Sequence, residues 1–393
     1  MCYTYIALGL GDLGGCACGV VLTKKLFLVT TETSGDLLGG RLVAELKEMV
    51  KDLQITGVGG EKLLAEGMAP IYQVSDFNVM GLFEVLSQLK RLKAMFKHLV
   101  NEVKKQKPDI IVLVDAPDFN LRFAKAVRKL GIPVIYYVSP QVWAWRKGRA
   151  KTVAKIVDHL MVLFSFEVDI YKNLGLDVTW VGHPLVDELK SDEDRDTFIR
   201  QWGLDKTKPL VSLAPGSRVS EVDRLLPAMA EVARQREDRY QFALPLAPSI
   251  ERKHVEDILA GAPVAILPSQ MRSLMRHADA AVVASGTATL ETALLHTPMI
   301  VGYKMKNLSY WLARMLVRVP HIALANIVLD TRVAPELIQG DFKPELILPE
   351  LDDMVTNGKR RDAMIAEYKR LDRILGGGGA AKKAAEVLKG FLK

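Results

Sequence analysis

Cysteine is almost missing: the 393 residues contain three, Cys2, Cys16 and Cys18, all near the amino terminus. A disulfide framework is excluded, and a reducing, cytoplasmic setting fits best. The seven histidines are scattered, with no H-x-x-x-H pair and no cysteine cluster beside them, so no metal site is expected. The phosphate-loop pattern G-x-x-x-x-G-K-[ST] is absent, which argues against a P-loop ATPase. No basic residue precedes Lys24, so residues 1–24 lack the charged start of a secretory signal, and their glycines interrupt any bilayer-spanning run. Those residues do carry a literal G-x-G-x-x-G at Gly9, Gly11 and Gly14. The segment that should form its helix, GCACGVVLTK, is short and glycine-broken. The match reads as a decoy, and residues 1–24 as an extension outside the fold.

What is present is a chain that is 49% hydrophobic and 25% charged, enough for a large core. The formal charge of +7 is unevenly placed. Residues 86–107 hold seven Lys/Arg and one acid, residues 143–155 hold five Lys/Arg and no acid, and the remainder is slightly acidic. From Lys25 the chain repeats a βα rhythm: LFLVTT, QITGVGG, DIIVLVDAP, VIYYVSP, HLMVLFSF and VTWVGHP are apolar runs set between amphipathic stretches. Continuous Val/Ile/Leu runs are what a parallel sheet buried on both faces requires. After the charged break KSDEDRDTF the rhythm restarts with PLVSLAPGSR, YQFALPLA, PVAILPS, AAVVASGTATLE and PMIVGYK. The expected class is α/β, with two doubly wound, Rossmann-like domains facing across a cleft. The expected division is an extension over 1–24, a first domain over 25–189, a second over 190–350 and a helical tail over 351–393 whose last helix crosses back to the first domain.

Open α/β sheets bind ligands beyond the carboxyl ends of their strands, so the candidate residues are read there. The first end offers Glu32, Ser34 and Asp36; Ser34 and Asp36 serve equally well as helix caps, while Glu32 points to the cleft. The end of IIVLV places Asp115 directly after a buried strand, where partial desolvation raises its basicity toward that of a general base. Asp118 and Asn120 follow on the loop and helix start. The next end, SPQVWAWRKGR, sets Ser139, Trp143, Trp145 and Arg146 together; alternating aromatics and cations suit a sugar or phosphate, and equally a packing anchor. In the second half, Ser217 and Arg218 lie in a small-residue turn suited to a diphosphate. Ser285, Gly286, Thr287, Ala288 and Thr289 open a helix whose free N–H groups suit phosphate, and Glu291 on its first turn can take ribose hydroxyls or stabilise the helix. Asp192, Asp194 and Asp196 form a D-x-D pattern, but in a polar linker, where a solvated charge run is the better reading.

The stretch 77–107 combines Met80, Leu82, Phe83, Leu86 and Leu89 with Lys90, Arg91 and Lys93. Its apolar positions outnumber those of one core-facing stripe. An ordinary buried helix with a solvated face and a membrane-surface segment that binds anionic lipid both remain open; nucleic acid fits less well, because the run is too apolar.

The motifs ETSGD, MGLFEVL, DAPDFN, YYVSPQVWAWR, VGHP, APGSR, ASGTATLE and VGYKM occur in order from about Leu26 to the carboxyl terminus. Together they resemble the lipid-A-disaccharide synthase family, inverting glycosyltransferases of the two-domain GT-B type. The resemblance implies transfer of 2,3-diacylglucosamine from its UDP donor to 2,3-diacylglucosamine 1-phosphate, forming a β-1,6-linked disaccharide and UDP without a cofactor. It implies Asp115 as general base, Glu32 as a second essential acid, Arg218 on the leaving diphosphate, Glu291 with the ASGTATLE loop on UDP, and Asn326 of HIALANIVL near the nucleotide. It departs from the family at Thr31, where a glycine is usual before ETSGD. The acylated substrates imply a peripheral position on the cytosolic face of the inner membrane, with a monomer and a homodimer both open. Another GT-B enzyme acting on UDP-N-acetylglucosamine, an epimerase or a peptidoglycan glucosaminyltransferase, is the alternative.

Overall fold

The computed structural model describes residues 23–77, 85–140, 148–189, 194–305 and 320–392, with backbone only for 85–89. The glycine fingerprint of the extension, Met80, Leu82, Phe83, Trp143, Trp145, Arg146 and Asp192 lie outside the described residues, as do the side chains of Leu86 and Leu89.

The apolar runs become strands. The six of the first half, β1 (Lys24–Val29), β2 (Leu53–Gly59), β4 (Ile110–Val114), β5 (Val134–Tyr137), β6 (His159–Val162) and β7 (Asp177–Trp180), form one sheet with a further edge strand, β3 (Ala69–Gln73), in the order β3-β2-β1-β4-β5-β6-β7. The five of the second half, β8 (Leu210–Ala214), β9 (Gln241–Leu246), β10 (Val264–Pro268), β11 (Ala280–Ala284) and β12 (Met299–Tyr303), form a second with the short edge strand β13 (Glu336–Ile338), in the order β10-β9-β8-β11-β12-β13. Every pairing is parallel. The central strands β4, β8 and β11 are buried at every residue, as helices on both faces demand. In each sheet the order reverses beside the first strand, between β1 and β4 and between β8 and β11. That reversal opens a crevice at the carboxyl ends, where a ligand can enter.

The helices after β1 and β4 fix the first crevice. Helix Thr33–Met49 starts so close to the sheet that a Cβ on Gly35 would lie 2.1 Å from Thr30 Oγ1 and 3.2 Å from the Val114 carbonyl. Only glycine permits that approach. At the carboxyl end of the chain, helix Gly358–Ile374 packs against helices Thr287–Leu294 and Leu324–Leu329 of the second domain. Helix Ala380–Phe391 alone crosses to the first domain and packs along helix Thr33–Met49. The stretch expected as one tail from residue 351 is thus shared between the two domains.

Helix Val85–Gln106 is amphipathic where its side chains are described. Met95, Leu99 and Val103 are buried, and Phe96 meets Phe119 and Phe123 edge-on at 5.7 and 5.9 Å. Lys90, Arg91, Lys93, Lys97, Lys104 and Lys105 face outward. From Leu92 onward the apolar residues therefore form a core-facing stripe with a solvated cationic side.

Candidate functional site

The first crevice is built around a strained backbone. Asp115 and Ala116 have φ of +51° and +46°, two successive left-handed residues at the end of β4. For residues other than glycine this costs free energy and persists only where the surroundings enforce it. Here Tyr136 donates its hydroxyl hydrogen to the Asp115 carbonyl at 2.6 Å, and the Asp115 N–H bonds the Tyr137 carbonyl at 2.9 Å. Asn120, fully buried, donates its amide to the carbonyls of Asp115 (2.8 Å), Val114 (3.1 Å) and Val29 (3.3 Å). Asn120 therefore ties the ends of β1 and β4 together and acts beneath the crevice, not in it.

The strained turn presents the Asp115 carboxylate to the crevice, with the Ser34 hydroxyl 3.3 Å from its Oδ2. Burial raises the Asp115 pKa, and hydrogen bonds from the Ala116 N–H and Ser34 only partly oppose this. Glu32, at the start of helix Thr33–Met49, is also raised, by burial first and then by the charges of Asp115 and Asp118. The crevice thus pairs two acids that hold protons more tightly than free carboxyls do.

Three other expected acceptor-loop residues serve the scaffold. Asp36 is turned away: Oδ1 accepts from the N–H groups of Gly60 (2.7 Å) and Leu63 (3.2 Å), and Oδ2 from that of Lys62 (3.0 Å), so it caps helix Glu61–Ala65. Asp118 is exposed and pairs with Arg149 at 2.6 Å. Ser139 is buried, 2.7 Å from the Tyr171 hydroxyl, whose pKa burial pushes up to about 12. In the linker, Asp194 caps helix Arg195–Gln201 through the Thr197 N–H at 3.1 Å.

The second crevice is a cavity of about 830 Å³ at the carboxyl ends of β8 to β11. It brings together Ser217, Arg218, Ser285, Gly286, Thr287, Ala288 and Glu291, residues far apart in sequence. Arg218 stands at the rim, its side chain 80% exposed, 2.9 Å from Glu221. Glu221 also accepts the N–H groups of Ser217 (3.1 Å) and Arg218 (3.3 Å), so those two backbone donors are occupied, while the guanidinium, held through Nη1 by Glu221, stays exposed at the rim. Opposite, helix Thr287–Leu294 begins at Gly286 and points its amino terminus into the cavity. Glu291 is raised chiefly by burial, with Arg272 pulling it back down.

Two expected residues lie elsewhere. Thr289 is buried and holds the helix start, donating to the Gly286 carbonyl (2.8 Å) and accepting the Leu324 N–H (3.1 Å). Asn326 is fully buried beneath the 322–336 segment. Its amide donates to the Ala334 carbonyl and Glu336 Oε1, both at 2.9 Å, and its oxygen accepts the N–H groups of Val333 (3.0 Å) and Ala334 (2.9 Å). Asn326 does not line the cavity, and its hydrogen-bonding capacity is spent on holding its own loop.

Sequence reasoning passed over Pro248, Ser269, Met271 and Arg272, which also line the cavity. The strand-end rule applied to β8 and β11 would have found them at the ends of β9 and β10.

The sequence model of the family described as "Lipid-A-disaccharide synthetase" matches residues 26–388. The chain is 42% identical over 377 residues to a lipid-A-disaccharide synthase of Syntrophus aciditrophicus (strain SB), covering 94% of this chain and 98% of the relative. It is 38% identical over 367 residues to that of Myxococcus xanthus (strain DK1622), covering 92% and 96%. Among solved structures, the UDP-GlcNAc 2-epimerase from Neisseria meningitidis bound to UDP-GlcNAc superposes with a TM-score of 0.62 at 12% identity, covering 93% of this chain and 99% of that one. The glycotransferase of kitacinnamycin gives 0.64 at 14% identity, covering 95% and 100%. These likenesses show the fold, the two-domain GT-B architecture of glycosyltransferases. Near-complete coverage at this level of identity does more: the chain belongs to the lipid-A-disaccharide synthase family.

Proposed function

We propose that this chain is an inverting glycosyltransferase that joins 2,3-diacylglucosamine, delivered as its UDP conjugate, to 2,3-diacylglucosamine 1-phosphate, giving the β-1,6-linked lipid A disaccharide 1-phosphate and UDP. The observation that carries the residue roles is the pair of switch-point crevices, one holding two proton-retaining acids and the other a nucleotide-sized cavity with a cation and a helix amino terminus. The UDP moiety occupies the second. Glu291 takes ribose hydroxyls, and the diphosphate lies between Arg218 and the N–H groups that open helix Thr287–Leu294.

In the transfer, Asp115 accepts the proton of the acceptor 6-hydroxyl as its oxygen attacks the anomeric carbon of the donor. The bond from that carbon to the β-phosphate oxygen breaks, and its electron pair leaves with UDP. Attack from the face opposite the leaving group inverts the configuration. Arg218 and the helix amino terminus stabilise the charge that builds on the diphosphate, an interaction for which loss of one donor costs about 10²–10³ in rate. Glu32, its own pKa raised by burial and then by the charge of Asp115, orients the acceptor.

Both substrates carry acyl chains, so the enzyme works at a membrane surface, the cytosolic face of the inner membrane. No helix among the described residues is long and apolar enough to cross a membrane, which fits attachment from one side.

The test is UDP release from the diacyl donor in detergent. Release is expected only when the acylated acceptor is also present, and unacylated UDP-N-acetylglucosamine should not be consumed. Consumption of that unacylated sugar would favour an epimerase or another glucosaminyltransferase.

A further inference from the structure

Arg272 lines the second-domain cavity, where its guanidinium meets two carboxylates. Its Nη2 lies 2.5 Å from Glu188 Oε2 and 3.4 Å from Glu291 Oε1. Glu188 belongs to the first domain, at the end of the short helix Leu185–Glu188 that follows β7. Its other oxygen is 2.5 Å from Nη1 of Arg41, on helix Thr33–Met49, the helix that Glu32 opens. Four side chains of alternating sign therefore run from the acid-bearing domain into the nucleotide cavity.

The middle of this chain is the most enclosed part. The Glu188 side chain is 7% exposed, against 38% for Arg41 and 44% for Arg272. A carboxylate so enclosed depends on its cations, since removing one partner of a buried pair leaves an uncompensated charge. Both carboxylates meet the one nitrogen Nη2 of Arg272, placed by a rigid planar guanidinium whose position a flexible lysine ammonium does not reproduce. Beside this contact, Arg276 donates to the Leu189 carbonyl, so helix Met271–His277 meets the end of the first domain at two points.

In-line transfer needs the anomeric carbon, held by the second domain, and the base, held by the first, in fixed relation; a 1 Å misplacement can cost about 10²-fold. We infer that Arg272 and Glu188 are positioning residues for the transfer: Arg272 holds Glu291 on the cavity side and is anchored by Glu188 on the other, so the donor site and the base-bearing domain are set in register through Arg41–Glu188–Arg272–Glu291. The inference rests on the reading that the cavity takes the UDP moiety.

The two roles separate experimentally, because UDP binding is a property of the second domain and turnover needs both. Calorimetric titration with UDP and steady-state kinetics with both acylated sugars would be run on the full chain and on Glu188→Gln, Arg272→Gln, Arg272→Lys and the Glu188→Gln/Arg272→Gln double variant. Glu188→Gln is expected to bind UDP within about 3-fold of the parent while kcat falls about 10-fold. Arg272→Gln should weaken UDP about 10-fold and lower kcat as well, and Arg272→Lys should recover UDP affinity but not kcat. The double variant should turn over no more slowly than Arg272→Gln alone, since coupled residues do not add. Parental kcat in Glu188→Gln, or a double-variant loss equal to the product of the single losses, overturns the inference. Absence of UDP binding in the parent chain overturns the reading of the cavity instead, and the inference with it.

Discussion

Among single residues, Asp115 is held under the most constraints. Its backbone is strained, its side chain is partly desolvated, and Asn120 and Tyr136 hold its carbonyl from below. A carboxyl whose folded pKa lies above its unfolded value stabilises the fold at low pH, and that contribution is lost as pH rises through the folded pKa. Ionised Asp115 therefore costs stability at neutral pH, in the state the base must occupy to work. Asp115→Asn is expected to lower kcat/KM by about 10²–10⁴, the usual worth of a general base, while UDP binding is retained. The same variant should melt at pH 7 no lower than the parent and up to about 3 °C higher, an advantage that fades as pH falls through the raised pKa. The acid limb of the parent's kcat/KM profile should lie above the ordinary aspartate range. Thermal melts across pH beside pH–rate profiles check both statements; a variant that melts lower at pH 7 but not at acid pH would reverse the assigned sign.

At the scale of elements, helix Val85–Gln106 shows how one pattern can serve two ends. Met95, Phe96, Leu99 and Val103 pack on the first-domain core, so the apolar side from Leu92 onward is spent on folding and the cations remain as a separate outward face. Reversing Lys90, Lys93 and Lys97 to Glu should leave the melting temperature nearly unchanged, because none of the three is buried. Each cation near an anionic surface contributes about 1 kcal/mol, so the triple reversal should weaken adhesion to vesicles containing anionic lipid by about 100-fold or more. Co-sedimentation would check this, and unchanged adhesion would take the membrane contact away from this face. The elements themselves were legible because buried parallel strands write continuous apolar runs: IIVLV, LVSLA and AAVVA became β4, β8 and β11. The strand-end rule then pointed to Arg218, Gly286 and Glu291, which line one cavity, and to Asp115 at the end of β4. It could not separate Asp36 from Glu32, four residues apart on one motif, because the direction of a carboxylate depends on helix Glu61–Ala65, which the motif does not contain. The burial of Asn326 was hidden for the same reason: its partners Val333, Ala334 and Glu336 lie on the loop and strand start that follow its helix. Arg272 went unseen because its meaning comes from Glu188 in the other domain.

At the scale of the whole molecule, the chain passes between the domains after Leu189 and returns through Gly376–Gly379. All four of these glycines have positive φ, of 94°, 63°, 97° and 73°, a run that side-chain-bearing residues would not sustain. The first domain grips both ends of the return: the His183 N–H bonds the Leu375 carbonyl at 2.8 Å, and Asp187, on helix Leu185–Glu188, accepts the N–H groups of Gly379 at 2.9 Å and Ala380 at 3.4 Å. Burial lowers the His183 pKa to about 4, so this clamp carries a neutral imidazole at physiological pH. The returning helix Ala380–Phe391 is 12 residues long, too short to stand alone in water. It is held by burying Ala384, Ala385 and Leu388 in the same core as Leu42, Val43 and Leu46 of helix Thr33–Met49. The last turn of the chain therefore stabilises the first domain, although the residues just before it belong to the second. Truncation of a buried leucine costs about 2–5 kcal/mol, so Leu388→Ala should lower the unfolding transition of the first domain. Saturating UDP should raise that of the second domain alone, because a ligand stabilises only the unit that binds it. Calorimetric melts of both chains with and without UDP would resolve the two transitions. A Leu388→Ala chain in which the UDP-sensitive transition falls, and the other stays in place, would assign the last helix to the wrong domain.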